Sequence, residues 1–119
     1  MTTQPQAPFA GANALVYGAA KGIGRAVALE FARRGAKVAV ADIDEAAARD
    51  TAAAIVAAGG EAIGLVANVL SDESVRAAAE AAESAYGAID ILVNNVGGLL
   101  NGHPAVSYTH LTLPTNREV

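Results

Sequence analysis

Three observations predict a three-layer α/β fold built on a doubly wound parallel sheet. Short apolar runs alternate with longer helix-patterned stretches in the order strand, helix, strand, helix, strand, helix, strand. The runs are near-continuously apolar, as in strands buried on both faces. A turn holding Gly18, Gly22 and Gly24 joins the first run to the first helical pattern. Such alternation builds right-handed βαβ units, and the four strands are expected in the order 3-2-1-4, with a ligand crevice where the winding reverses.

Residues 1–10 read as a loose leader, polar at the start and carrying two prolines. The first strand spans 12–17, and the first helix runs from Ile23 to Arg34. Ile23, Val27 and Phe31 recur at helical spacing and are expected to face the sheet, with Glu30, Arg33 and Arg34 in water. Gly35 closes that helix, and Lys37–Ala41 forms a second buried strand ending on Asp42. An alanine-rich helix over Glu45–Ala58 stops at Gly59-Gly60, and a third strand follows over Ala62–Ala67, before Asn68-Val69. Ser71 is placed to cap a third helix whose first turn carries Asp72 and Glu73, acidic charge at the positive helix end. That helix runs to Tyr86 and stops at Gly87, and Ile89–Val93 forms the fourth strand.

The glycine turn has a chemical reading. Gly18 takes a tight turn that a side chain would obstruct, and Gly22 admits a diphosphate close to the backbone. Gly24 lets the helix pack near the strand, and the free N–H groups at its start favour an anion. Asp42 lies 24 residues after Gly18, at the end of the second strand, where an acid can hydrogen-bond ribose hydroxyls. It also precedes a helix, as does Asp44, so an N-cap is an alternative role compatible with the first.

Composition narrows the function classes. With 119 residues the chain is at most one domain, long enough for a core but short for a complete dinucleotide enzyme. Hydrophobic residues at 53% and charged residues at 17% mark a globular chain. A net charge of −4 gives no electrostatic reason to expect nucleic acid or an anionic membrane. With no cysteine there is no disulfide, thiol catalysis or thiolate metal site. No signal-peptide pattern opens the sequence and no apolar run could span a bilayer, so a cytoplasmic location is expected.

Residues 15–24 resemble the T-G-x-x-x-G-x-G loop of the short-chain dehydrogenase/reductase family, and Asn94-Asn95-Val96-Gly97 resembles its N-N-A-G motif after the fourth strand. The resemblance covers about residues 10–100 and implies a Rossmann-type domain, truncated here, within 11–105. It implies a nicotinamide dinucleotide held by Gly18, Lys21, Gly22, Ile23, Gly24, Asp42, Ile43, Asn68, Val69, Asn94, Val96 and Gly97. It further implies a small alcohol/ketone substrate and a homo-oligomeric full-length parent.

Asn68-Val69 stands where the family has Asp-Val against the adenine, keeping the acceptor oxygen and losing the charge; a strand-end turn role is the alternative. Asn94 and Gly97 resemble residues that tie the central strands and open space beside the nicotinamide ribose, where Val96 adds bulk in place of alanine. Tyr17 replaces the usual threonine. Lys21 resembles the basic residue of NADP users, but a 2′-phosphate would meet Asp42 at a cost on the order of 4 kcal/mol for unit charges about 4 Å apart. NAD is therefore expected ahead of NADP.

The family's catalytic serine and Tyr-x-x-x-Lys helix have no counterpart. Tyr17 and Lys21 satisfy the spacing formally but straddle a strand end and a loop. Tyr86 and Tyr108 are followed four residues on by Asp90 and Thr112, and His103 and His110 stand isolated. No catalytic residue and no metal ligand is expected. Residues 106–119 lack a βαβ pattern, and Val106-Ser107-Tyr108-Thr109-His110-Leu111 resembles a translated sequencing adapter (GTC TCT TAT ACA CAT CTG), so this tail is expected to be foreign to the fold. A native C-terminal strand is the alternative, since Thr109–Leu113 alternates. The outer edge of the fourth strand is accordingly expected to lack its usual neighbour. Three other functional readings stay open: a class I methyltransferase, a non-catalytic nucleotide-binding module, and a truncated frame without a physiological role.

Overall fold

The computed structural model describes residues 8–100 and 103–109. In chain order these form β1 (Asn13–Tyr17), α1 (Gly22–Arg33), β2 (Lys37–Asp42), α2 (Glu45–Ala57), β3 (Glu61–Val66), α3 (Asp72–Tyr86), β4 (Ile91–Leu100) and β5 (His103–Thr109). The sheet order is β3-β2-β1-β4-β5. The first four strands are parallel, in the expected 3-2-1-4 arrangement, and β5 joins β4 antiparallel.

The two-residue side-chain period of a strand sorts the apolar residues into two layers. Ala14, Val16, Val38 and Val40 face α1 and α2 together with Ala28, Ala48 and Ile55. Leu15, Tyr17, Ala39 and Ala41 face α3, against Ala78 and Ala82. Small residues on the helices let them lie close to the sheet. Leu15, Ile55 and Ile89 are among the largest fully buried side chains, each contributing about 1.5–3 kcal/mol of transfer free energy.

Three sequence expectations are corrected. The buried positions of α1 are Gly24 and Ala28, and Phe31 packs against the same core as expected, while Ile23 is 72% exposed and Val27 is half-buried. The smallest residues win the inward face because α1 sits directly on the strand ends; Glu30 pairs with Arg33 and Arg34 on the outer side as expected. Second, the leader is docked from Phe9 onward. The Phe9 N–H donates to the Arg34 carbonyl at 2.8 Å, and its ring packs on Phe31 with centroids 5.4 Å apart; residues 1–7 lie outside the described residues.

The third correction concerns the outer edge of β4, which is paired. β5 runs antiparallel to β4, the two being separated in sequence by residues 101–102, whereas a parallel neighbour would need a longer crossover. The register runs from Leu92↔Thr109 to Asn95↔Val106, shifts, and resumes at Leu99↔Pro104. Unpaired backbone groups on β4 give any adjacent extended segment a partner.

Candidate functional site

The glycine turn crosses the C-terminal ends of β1 and β2. Gly18 has φ +73°, and the N–H groups of Gly18 and Ala19 both donate to the Ala41 carbonyl, at 2.8 and 3.3 Å. The Ala20 N–H donates to Asp42 Oδ2 at 3.0 Å. The buried Thr51 hydroxyl of α2 donates to the Ala20 carbonyl at 3.2 Å, and Asn95 Nδ2 donates to the Gly18 carbonyl at 3.3 Å. The turn is thus held from β2, α2 and β4 at once.

Two glycines in it do different work. A Cβ on Gly24 would lie 1.9 Å from the Gly18 carbonyl oxygen and 2.7 Å from Asn95 Nδ2, so α1 can pass over the turn only with glycine there. At Gly22 the backbone has φ +64°, a left-handed conformation, yet a Cβ would meet nothing within 4 Å. Close packing requires the first glycine; the second leaves an open approach to the backbone. α1 begins there, and its first N–H groups have no intrahelical acceptor. Lys21 precedes it without a side-chain capping bond, and the first turn carries no acid. By contrast, Asp44 caps α2 and Ser71 caps α3. An uncapped helix start beside a glycine turn is a cradle for an anion.

Asp42 is not the cap of α2, because Asp44 Oδ1 accepts the Ala47 N–H at 3.1 Å. Instead the half-buried Asp42 carboxylate bridges the turn and the next loop, with Oδ1 accepting the Asp44 N–H at 3.0 Å. Each oxygen keeps lone-pair capacity for a further donor. Lys21, Gly22, Ile23 and Ile43 are exposed at the rim, Ile43 to 66%. Asn68 follows β3, where its Oδ1 accepts the Leu70 N–H at 3.0 Å and its N–H donates to Ser74 Oγ at 2.8 Å. Its acceptor oxygen therefore shapes the strand-end turn. Val69 packs on the α3 side of the sheet.

The Asn-Asn motif lies within β4, not after it, since pairing with β5 carries the strand on to Leu100. Asn94 is exposed, opposite Tyr17 on β1 and Ser107 on β5. Its buried neighbour Asn95 makes the bond to the glycine turn. Val96 and Gly97 are on β4, and their side-chain surroundings lie outside the described residues. Sequence reasoning missed Asn95, Thr51 and Arg25. A signal for Thr51 existed: it is the polar member of the inward stripe Ala48, Thr51, Ala52, Ile55.

Tyr17 and Lys21 do not form an acid/base pair. The Tyr17 hydroxyl donates to the Val75 carbonyl of α3 at 2.8 Å, and burial pushes its pKa up to about 12. Lys21 is exposed on the turn. The side chains of His103 and Tyr108, and all of His110, lie outside the described residues. Among the described residues no group of three or more His, Cys, Asp or Glu could hold a metal, and no helix is long and apolar enough to cross a membrane.

A glycine turn, an acid ending β2 and a 3-2-1-4 sheet stand together in this chain, and the family model for short chain dehydrogenases matches residues 12–113. The chain belongs to this family. It is 47% identical over 94 residues to the "Probable oxidoreductase EphD" of Mycobacterium tuberculosis, covering 79% of this chain and 16% of that protein. It is 41% identical over 88 residues to the 7alpha-hydroxysteroid dehydrogenase of Escherichia coli, covering 74% and 34%. The crystal structure of a hydroxysteroid dehydrogenase from Escherichia coli superposes with a TM-score of 0.73 at 40% identity, covering 76% of this chain and 38% of the other. The chain therefore spans between 16% and 38% of the length of these proteins. Membership replaces the methyltransferase alternative. The family uses NAD(P), and the cradle, the open approach at Gly22 and the acid at β2 fit such a group.

Proposed function

We propose that the chain is the cofactor-binding part of an NAD-dependent short-chain dehydrogenase/reductase acting on an alcohol/ketone pair. The observation that carries this reading is the turn itself, with Gly24 packed on Gly18, Gly22 open, and Asp42 bonded to the Ala20 N–H. In this reading the turn and the start of α1 hold the diphosphate, with Lys21 and Ile23 at its rim. Asp42 and Ile43 lie at the adenosine ribose, Asn68 and Val69 toward the adenine, and Asn94, Val96 and Gly97 on the nicotinamide side. The bound nicotinamide supplies the hydride donor or acceptor.

Asp42 presents acceptor oxygens, which suit ribose hydroxyl donors and repel a 2′-phosphate. This favours NAD over NADP, against the pull of the exposed Lys21. The 119 residues hold no Tyr-x-x-x-Lys helix, so the proton-transfer machinery belongs to the longer parent and the chain alone is inactive. Residues 11–105 are then the domain and 106–119 a non-native tail, the adapter-like hexapeptide being the support for that division. A cytoplasmic, homo-oligomeric parent completes the reading.

Titration of NAD and NADP against the wild-type chain and Asp42→Ala tests it. NAD should bind more tightly than NADP to the wild type, and the variant should lose the preference. Equal or tighter NADP binding by the wild type would overturn the cofactor assignment.

A further inference from the structure

The glycine turn is reached from outside by a polar relay that begins on α1. Arg25 Nη1 donates to Thr51 Oγ1 at 2.8 Å, and Thr51 Oγ1 donates to the Ala20 carbonyl at 3.2 Å. A guanidinium can only donate, so the Thr51 oxygen must accept from Arg25, and its single proton is directed to Ala20. Thr51 is fully buried, whereas the second partner of Arg25, Asp50 at 3.4 Å, is largely exposed. The relay therefore points inward to one peptide group.

That peptide is the hinge of the cradle. Ala20 is gripped on both sides, its N–H by Asp42 Oδ2 and its carbonyl by Thr51. In a trans peptide the carbonyl and the following N–H point in opposite directions. Holding the Ala20 carbonyl toward α2 therefore turns the Lys21 N–H away from α2, to the side where Lys21 and Gly22 are exposed.

We propose that Thr51, with its hydroxyl direction set by Arg25, is a positioning residue for diphosphate binding. It orients the Ala20–Lys21 peptide so that the turn presents N–H donors to the anion. This rests on the dinucleotide reading above and deepens it. A threonine that merely satisfied its own hydroxyl would affect stability and leave selectivity for the diphosphate untouched.

The test compares ADP-ribose, which carries the diphosphate, with adenosine, which does not, by titration of the 119-residue chain. Thr51→Val keeps the shape and removes the hydroxyl; Thr51→Ser keeps the hydroxyl. The expected result is an ADP-ribose affinity about five- to tenfold weaker in Thr51→Val, unchanged adenosine affinity, and recovery in Thr51→Ser. Unchanged ADP-ribose binding, an equal loss for both ligands, or no recovery with serine would overturn the proposal. If Thr51→Val does not fold, Arg25→Met, at a partly exposed site, carries the comparison: a loss of ADP-ribose affinity with adenosine affinity unchanged is expected, and unchanged ADP-ribose binding or an equal loss for both ligands would overturn the proposal. Failure of the wild type to bind ADP-ribose would instead remove the dinucleotide reading, and this inference with it.

Discussion

Gly22 and Gly24 are two residues apart and should respond to alanine for different reasons. At Gly24 the added methyl meets backbone that cannot move aside, and overpacking of that kind costs about 1–3 kcal/mol or more. At Gly22 the methyl enters open space, leaving only the left-handed backbone penalty of roughly 1–2 kcal/mol. Urea unfolding should therefore show Gly24→Ala as the more damaging change, while Gly22→Ala folds and loses NAD affinity because the methyl occupies the approach to the backbone. A Gly22→Ala chain binding NAD like the wild type would count against the cradle.

Tyr17 gives a second residue-level prediction. Burial raises its pKa to about 12, so the folded chain holds the phenolic proton more tightly than the unfolded chain, with an ordinary value of 10.0. That stability is complete below pH 10 and falls as the pH rises toward 12. Tyr86, raised to about 12 by burial and by the Glu61 charge, acts in the same direction. Denaturation across that window should show a shallower decline in Tyr17→Phe than in the wild type; identical slopes would contradict the buried hydroxyl. The roles of Gly18, Gly24 and Ser71 were legible because each follows from local backbone chemistry. Asn95 was not, since adjacent strand residues face opposite sides and only the sheet decides which asparagine meets the turn.

At the scale of elements, periodicity located the strands and helices to within a few residues and failed where packing distance overrode it. The Ile23, Val27, Phe31 stripe is a legitimate helical pattern, yet α1 buries Gly24 and Ala28 and leaves Ile23 exposed, because at Gly24 the helix lies against the Gly18 carbonyl with no room for a side chain. The extent of β4 was illegible for another reason: it depends on pairing with β5, and strand length is set by the partner as much as by the run itself. β5 covers the outer edge of β4. Removing residues 103–119 should leave the cooperative melt nearly unchanged while exposing the β4 edge, so that association becomes concentration-dependent in light scattering. A deletion that abolishes cooperative melting would make β5 part of the core.

For the whole molecule, the order 3-2-1-4 brings the ends of β1, β2 and β3 and the Asn94 position of β4 to one side of the sheet. α1 and α2 cover one face and α3 the other. This arrangement was readable from the alternation alone, because a right-handed crossover leaves few ways to connect such strands. A different concavity, about 310 Å³, lies between the C-terminal ends of α1 and α2, lined by Leu29, Ala32, Ile55 and Ala58 among others. It is remote from the glycine turn and offers a competing location for a bound nucleotide. Amide chemical-shift mapping of NAD on the isotopically labelled chain separates the two. Saturable shifts centred on the amides of Ala20 to Gly24, with Asp42 and Asn68 following, are the predicted result. Shifts confined to Leu29, Ala32 and Ala58, or none that saturate, would contradict the assignment of the turn as the cofactor site.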